Sequence, residues 1–146
     1  GQKTAAFEVI KALGGAPDYH YLPVGNAGNI VAHSKGYQEM AQEGYTLPKL
    51  IGIQASGANP LVIGHPVKNP STRASAIAIG NPQNWQAAVR AKQETGGAFY
   101  DVTDEEIQQA RHQLAQQGLF CELSSAATVA GLIKDIEANR IRKDAL

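Results

Sequence analysis

Between Val24 and Ile30 the chain reads Gly25-Asn26-Ala27-Gly28-Asn29, a run of small and amide-bearing residues suited to one kind of chemistry. Glycine lets the main chain curl and lets an anion approach without meeting a Cβ. Asparagine tolerates unusual backbone angles and adds amide donors. The run follows a short apolar segment and precedes a helical pattern. The first turn of a helix carries N–H groups with no internal partner, at the positive end of the helix dipole. Together these features predict an oxyanion cradle, most naturally for phosphate. Two other phosphate templates fail. Gly25 and Gly28 do not match the G-x-G-x-x-G spacing of dinucleotide sites, and no lysine followed by Ser or Thr closes the run as in a nucleotide P-loop. A capped turn that binds nothing is the plain alternative, and residue chemistry alone leaves both readings open.

The remaining reactive side chains are less suggestive. His20, His33, His65 and His112 lack ligand spacing and no cysteine or carboxylate cluster accompanies them, so they are expected at the surface or at pocket edges, with no metal site. Cys121 lies in a short apolar run and is expected as a small buried thiol. Trp85 is expected to anchor packing. Ser124 and Ser125 open a predicted helix, where capping alone accounts for them.

The elements that must position these residues alternate in type. Ala6, Phe7, Ile10 and Leu13 recur at helical spacing before Gly14-Gly15, and Tyr19 to Val24 reads as a strand. Residues 29 to 42 are helical, and Lys49 to Gln54 is a second buried strand. Ala55 to Asn84 is mostly loop, except that Ala74 to Ile79 could be a short helix or a strand. A helix begins at Trp85 and stops at Gly96-Gly97, followed by a strand from Ala98 to Val102. Thr103-Asp104-Glu105-Glu106 is a capping box for a helix that closes at Gly118. Leu119 to Cys121 reads as a very short strand. A last helix has Val129, Leu132, Ile133 and Ile136 on one side. Strands alternating with helices imply an α/β fold with a mainly parallel sheet and helices on both faces.

Bulk properties narrow the class. The 146 residues fit one domain with a core of its own, taken as a single incomplete α/β domain over 1–146 with a loose end at 138–146. Thirteen basic and thirteen acidic residues balance, so the charge gives no reason to expect nucleic acid or an anionic membrane as partner. One cysteine excludes an internal disulfide and fits a reducing, cytoplasmic setting.

Several motifs carry a resemblance. Gly1-Gln2-Lys3-Thr4-Ala5-Ala6-Phe7-Glu8 and Pro23-Val24-Gly25-Asn26-Ala27-Gly28-Asn29-Ile30 are joined, in order, by Gly64-His65-Pro66-Val67 and Ala76-Ile77-Ala78-Ile79-Gly80-Asn81-Pro82. Val102-Thr103-Asp104-Glu105-Glu106, Phe120-Cys121-Glu122 and Ser124-Ser125-Ala126-Ala127-Thr128-Val129-Ala130-Gly131 complete the set. Over nearly its whole length the chain resembles the threonine synthases, pyridoxal-phosphate lyases of fold type II, and would form most of their large domain. The resemblance implies pyridoxal 5'-phosphate as cofactor and O-phospho-L-homoserine as substrate of the complete enzyme. It implies that Gly25, Asn26, Ala27, Gly28 and Asn29 grip the cofactor phosphate, that Glu122 lies near the cofactor ring, and that Ser75 contacts substrate. Leu123 stands where the family usually has proline.

By the same resemblance the lysine that carries the cofactor lies upstream of Gly1 and the partner of the pyridine nitrogen lies beyond Leu146, so no catalytic residue is assigned here. The expectation is an internal portion that is silent in catalysis but keeps the phosphate loop. A non-catalytic anion-binding module, or a structural fragment that self-associates into homo-oligomers through exposed apolar faces, is the alternative.

Overall fold

A computed structural model describes residues 1–146. Three parallel strands form the centre: β1 (Tyr19–Pro23), β2 (Lys49–Ala55) and β3 (Ala98–Val102), in the order β1-β2-β3. Tyr21 lies opposite Ile51, and Ile53 opposite Tyr100. Six helices surround them: α1 (Thr4–Leu13), α2 (Gly28–Gln42), the one-turn α3 (Pro60–Ile63), α4 (Trp85–Thr95), α5 (Asp104–Gln116) and α6 (Leu123–Glu137).

The period-two alternation of the strands splits the core into two layers. Leu22, Leu50 and Phe99 face α1, α2 and α4, where they join Ala6, Ile10, Ile30, Tyr37 and Ala88. Trp85 packs against this layer as expected. Ile51, Ile53, Ala55 and Val102 face α5 and α6, where they join Ile107, Ala110, Ala126, Ala127 and Ala130. The expected α/β arrangement with helices on both faces is present.

Four expectations need correction. Leu119 to Cys121 is not a strand. Gly118 ends α5 in the left-handed region at φ 79°, and the segment turns directly into α6 on the same face of the sheet, pinned where Arg111 Nε donates to the Cys121 carbonyl at 3.1 Å. The segment pairs with no strand of the sheet, and Phe120 is 87% exposed. Cys121 is half-buried rather than buried. The inner face of α6 is made of Ala126, Ala127, Ala130 and Gly131 instead of the larger apolar residues, and Ile136 is exposed. Small residues win because the helix sits close on the sheet: a Cβ at Gly131 would lie 2.4 Å from Ile53 Cδ1. Finally, α6 begins one residue before Ser124, so neither serine is its N-cap. Glu122 holds that position with no side-chain cap, and the Ser124 hydroxyl is buried without a partner.

Ala74 to Ile79, open to either helix or strand on its sequence, contains a single 3-10 turn at Ser75–Ile77. Residues 138–146 form turns tied to β1: Asp18 N donates to the Leu146 carbonyl at 2.8 Å, and Arg142 pairs with Asp18 at 3.1 Å.

Candidate functional site

At the carboxyl end of β1, Val24 N makes the last sheet bond, to the Ile53 carbonyl at 2.8 Å. The first helical bond of α2 runs from Val31 N to the Ala27 carbonyl at 3.3 Å. Between them the six successive amides of Gly25, Asn26, Ala27, Gly28, Asn29 and Ile30 (none of them proline) donate to nothing in the protein. Ala27 is the N-cap and occupies the left-handed region at φ 64°, ψ 10°, with no side-chain cap. A left-handed residue followed by a helical one turns consecutive N–H groups to one side, which is the backbone form of an anion nest. Donors left unpaired at a helix start, with the dipole behind them, suit a phosphate or carboxylate.

The loop is held from three directions. Gly25 packs against the 3-10 turn, where an added Cβ would lie 2.7 Å from the Ala76 carbonyl oxygen. Gln54, fully buried, spans the gap beneath: Nε2 donates to the Val24 carbonyl at 3.4 Å, and Oε1 accepts from Leu61 N at 2.9 Å. From the side, the Asn26 carbonyl accepts from Asn84 N at 3.2 Å and Asn84 Nδ2 at 3.0 Å, and Asn26 Oδ1 accepts from Gln83 N at 3.4 Å.

Below α2 lies a polar cluster absent from the sequence-based expectations. His33 Nδ1–H donates to the Asn29 carbonyl at 2.9 Å, its ring stands edge-on to His20 at 5.1 Å, and His20 Nδ1 bonds the Tyr37 hydroxyl at 2.7 Å. His33 is therefore a buried residue and not a surface one. Burial, and secondarily the neighbouring His33, push the His20 imidazole down to about 4; burial raises the Tyr37 phenol to about 12. His20 and Tyr37 stay neutral at physiological pH and pack rather than titrate. No group of three or more His, Cys, Asp or Glu is placed to hold a metal ion.

The other predicted site residues lie at different distances from this loop in the fold. Ser75 is exposed at the start of the 3-10 turn, and that turn packs on Gly25 on one side and on α6 on the other. Glu122 is exposed in extended backbone ahead of α6 and connects to the loop only through that helix. Gln54, Asn84 and the histidine pair escaped the sequence reading. The order Asn81-Pro82-Gln83-Asn84 before Trp85 signals a turn and a helix start, and nothing in it points back to Asn26. None of the larger cavities includes Gly25–Asn29; the loop meets the surface at the exposed Asn26 and the half-buried Gly28 and Asn29. The largest, about 550 Å³, lies on the other side of β1, between Tyr19, Tyr21, Leu132, Ile136, Arg142 and Leu146.

Comparison with known proteins identifies the family. The sequence profile of the family described as pyridoxal-phosphate dependent enzyme matches residues 1–146. A threonine synthase of Mycobacterium tuberculosis is 54% identical over 140 residues, covering 94% of this chain and 39% of the relative. One from Synechocystis is 51% identical over 138 residues, 92% of this chain and 36% of the relative. The chain thus spans about two fifths of the curated relatives it matches. Among solved structures, the processed form of threonine deaminase isoform 2 from Solanum lycopersicum superposes with a TM-score of 0.81 at 24% identity, over 97% of this chain and 41% of that one. A fungal L-serine ammonia-lyase from Rhizomucor miehei gives 0.79 at 20% identity, over 93% and 45%. At such identities these two speak for the fold alone.

Proposed function

Because the chain belongs to the pyridoxal-phosphate-dependent enzyme family, we propose that the whole protein is a threonine synthase, converting O-phospho-L-homoserine and water to L-threonine and phosphate. The observation that carries the site is the run of six unpaired amides from Gly25 to Ile30. A cofactor phosphate fits it. The donors have no competing acceptor, and no carboxylate stands in the first turn of α2 to repel a dianion.

In this reading Gly25, Asn26, Ala27, Gly28 and Asn29 bind the phosphate and fix the orientation of the cofactor above the carboxyl edge of the sheet. When bound, the cofactor supplies an electron sink for the carbanions of a replacement at the substrate's β and γ carbons. The 3-10 turn closes one wall of the cradle, and the exposed Ser75 hydroxyl is offered to substrate. Glu122, unengaged as a cap, is free to face the cofactor ring. By the family resemblance none of the chain's lysines stands at the place of the covalent anchor, and two of them are engaged elsewhere, Lys3 with Glu39 at 2.8 Å and Lys134 with Glu106 at 3.3 Å. We therefore expect residues 1–146 alone to be silent in catalysis and to keep part of the phosphate seat.

Exposed apolar side chains, foremost Phe120 with its neighbour Leu119, and Leu146, support burial against further polypeptide, either of the same chain or of a second copy. Sedimentation separates these cases. The enzymatic reading is tested by supplying the full natural polypeptide with pyridoxal phosphate and O-phospho-L-homoserine. Equimolar phosphate and L-threonine are expected; no phosphate release would refute the assignment. Turnover by residues 1–146 alone, with borohydride trapping cofactor at one lysine, would refute the expected silence.

A further inference from the structure

We propose that Asn84 is a positioning residue for the anion loop: its two donors grip the Asn26 carbonyl and so keep the Asn26–Ala27 peptide turned with its N–H toward the anion. The inference rests on the reading of Gly25–Ile30 as a phosphate seat.

Every peptide bond of the chain is trans, so the carbonyl and N–H of one unit point to opposite sides. The Asn26 carbonyl is held on the α4 side by Asn84 N and Asn84 Nδ2, at 3.2 and 3.0 Å. The N–H that must then point the other way is that of Ala27, near the middle of the unpaired run. Ala27 sits at φ 64°, a region an alanine enters only at a steric cost. Rotating that peptide plane would let Ala27 relax and would turn its N–H out of the cradle. A strained residue persists only where its surroundings over-determine it. Two hydrogen bonds on one carbonyl, with a third from Gln83 N on the Asn26 side chain, are that restraint. Asn84 is also the N-cap residue of α4, where an asparagine ordinarily caps its own helix; here its side chain makes no cap bond and reaches across to Asn26 instead.

The test uses the full natural polypeptide freed of bound cofactor, labelled with ¹⁵N-alanine, and inorganic phosphate as probe. Wild type, Asn84→Ala and Asn84→Ser are compared for phosphate affinity by calorimetry, for the Ala27 amide shift, and for the urea midpoint. Serine is a good N-cap but too short to reach Asn26, so it separates capping from clamping. Both variants should bind phosphate roughly three- to tenfold more weakly, the worth of one hydrogen bond, with the Ala27 shift reduced and the urea midpoint unchanged. Affinities within twofold of a binding wild type would overturn the role of Asn84 and leave the loop standing. Recovery in Asn84→Ser alone, or a parallel fall in the urea midpoint, would overturn it in favour of plain helix stability. A wild type whose Ala27 amide ignores phosphate would instead sink the loop itself, and the clamp with it.

Discussion

Two helices start at the carboxyl edge of this sheet, and their first turns are built in opposite ways. Ahead of α5, Thr103 Oγ1 accepts from Glu106 N at 3.2 Å while Glu106 Oε2 accepts from Thr103 N at 2.7 Å, and Asp104, Glu105 and Glu106 set three carboxylates against the dipole. Ahead of α2 there is no acid and no cap, and six amides remain without a partner. The position in the fold is the same. One start pairs its first and last free donors, Thr103 N and Glu106 N, within the protein and would repel an anion; the other keeps all of its donors for something outside. A site is marked less by the residues it contains than by hydrogen bonds the chain declines to make for itself.

The sharpest way to break this contrast is to fill the loop. In Gly25→Ala the new Cβ would lie 2.7 Å from the Ala76 carbonyl and 3.3 Å from Ile77 Cα, both backbone, so the 3-10 turn must move. A loss of roughly 2 to 4 kcal/mol in urea denaturation is expected, together with at least a tenfold loss of phosphate affinity. Unchanged phosphate affinity would mean that the cradle does not depend on that wall.

The second effect exposes what lies under each start, since only the α2 side has a packed histidine pair, His20 half-buried and His33 buried. The folded value for His20 is about 4, below the ordinary 6.5, so the unfolded chain takes up a proton that the folded one refuses. The stability in question is complete above pH 6.5 and lost as pH falls towards 4, at an order of 2 to 3 kcal/mol. Comparing wild type with His20→Asn isolates this from the carboxylates: the variant should lose less between those pH values. Parallel curves would show that His20 is protonated in the fold.

The elements around both starts were largely legible in the sequence, because the capping box and the glycine-asparagine joint are local signals. What escaped is non-local. The Asn84–Asn26 bond joins residues 58 apart, and the His20–His33 contact forms only when β1 and α2 fold against each other. Leu119 to Cys121 misled because apolar content alone does not supply a strand partner. The α6 face misled because large side chains advertise burial, whereas a helix that approaches a sheet closely selects alanine and glycine.

Removing the α5 cap should be milder and confined. Thr103→Ala is expected to cost about 1 kcal/mol in urea denaturation and to leave phosphate affinity untouched. A matching loss of affinity would show that the two starts are coupled through the sheet, and the contrast between them would lose its meaning.

The smallest effect is the most diagnostic of how the loop is made. Ala27→Gly removes the left-handed strain, a gain of roughly 1 to 2 kcal/mol. It also gives the unfolded chain more freedom, at a cost of about 0.4 to 1 kcal/mol, and strips a methyl group worth about 0.8 kcal/mol from a residue only 2% exposed. These terms nearly cancel, so the urea midpoint should stay within about 1 kcal/mol of wild type. That balance is a physical reason for alanine to be tolerated where glycine would be the easy choice: the buried methyl and the stiffer unfolded chain offset the strain. A clear gain in stability would mean that the methyl packs against nothing of consequence. In that case the rigidity of the cradle would have to come from the Asn84 clamp alone.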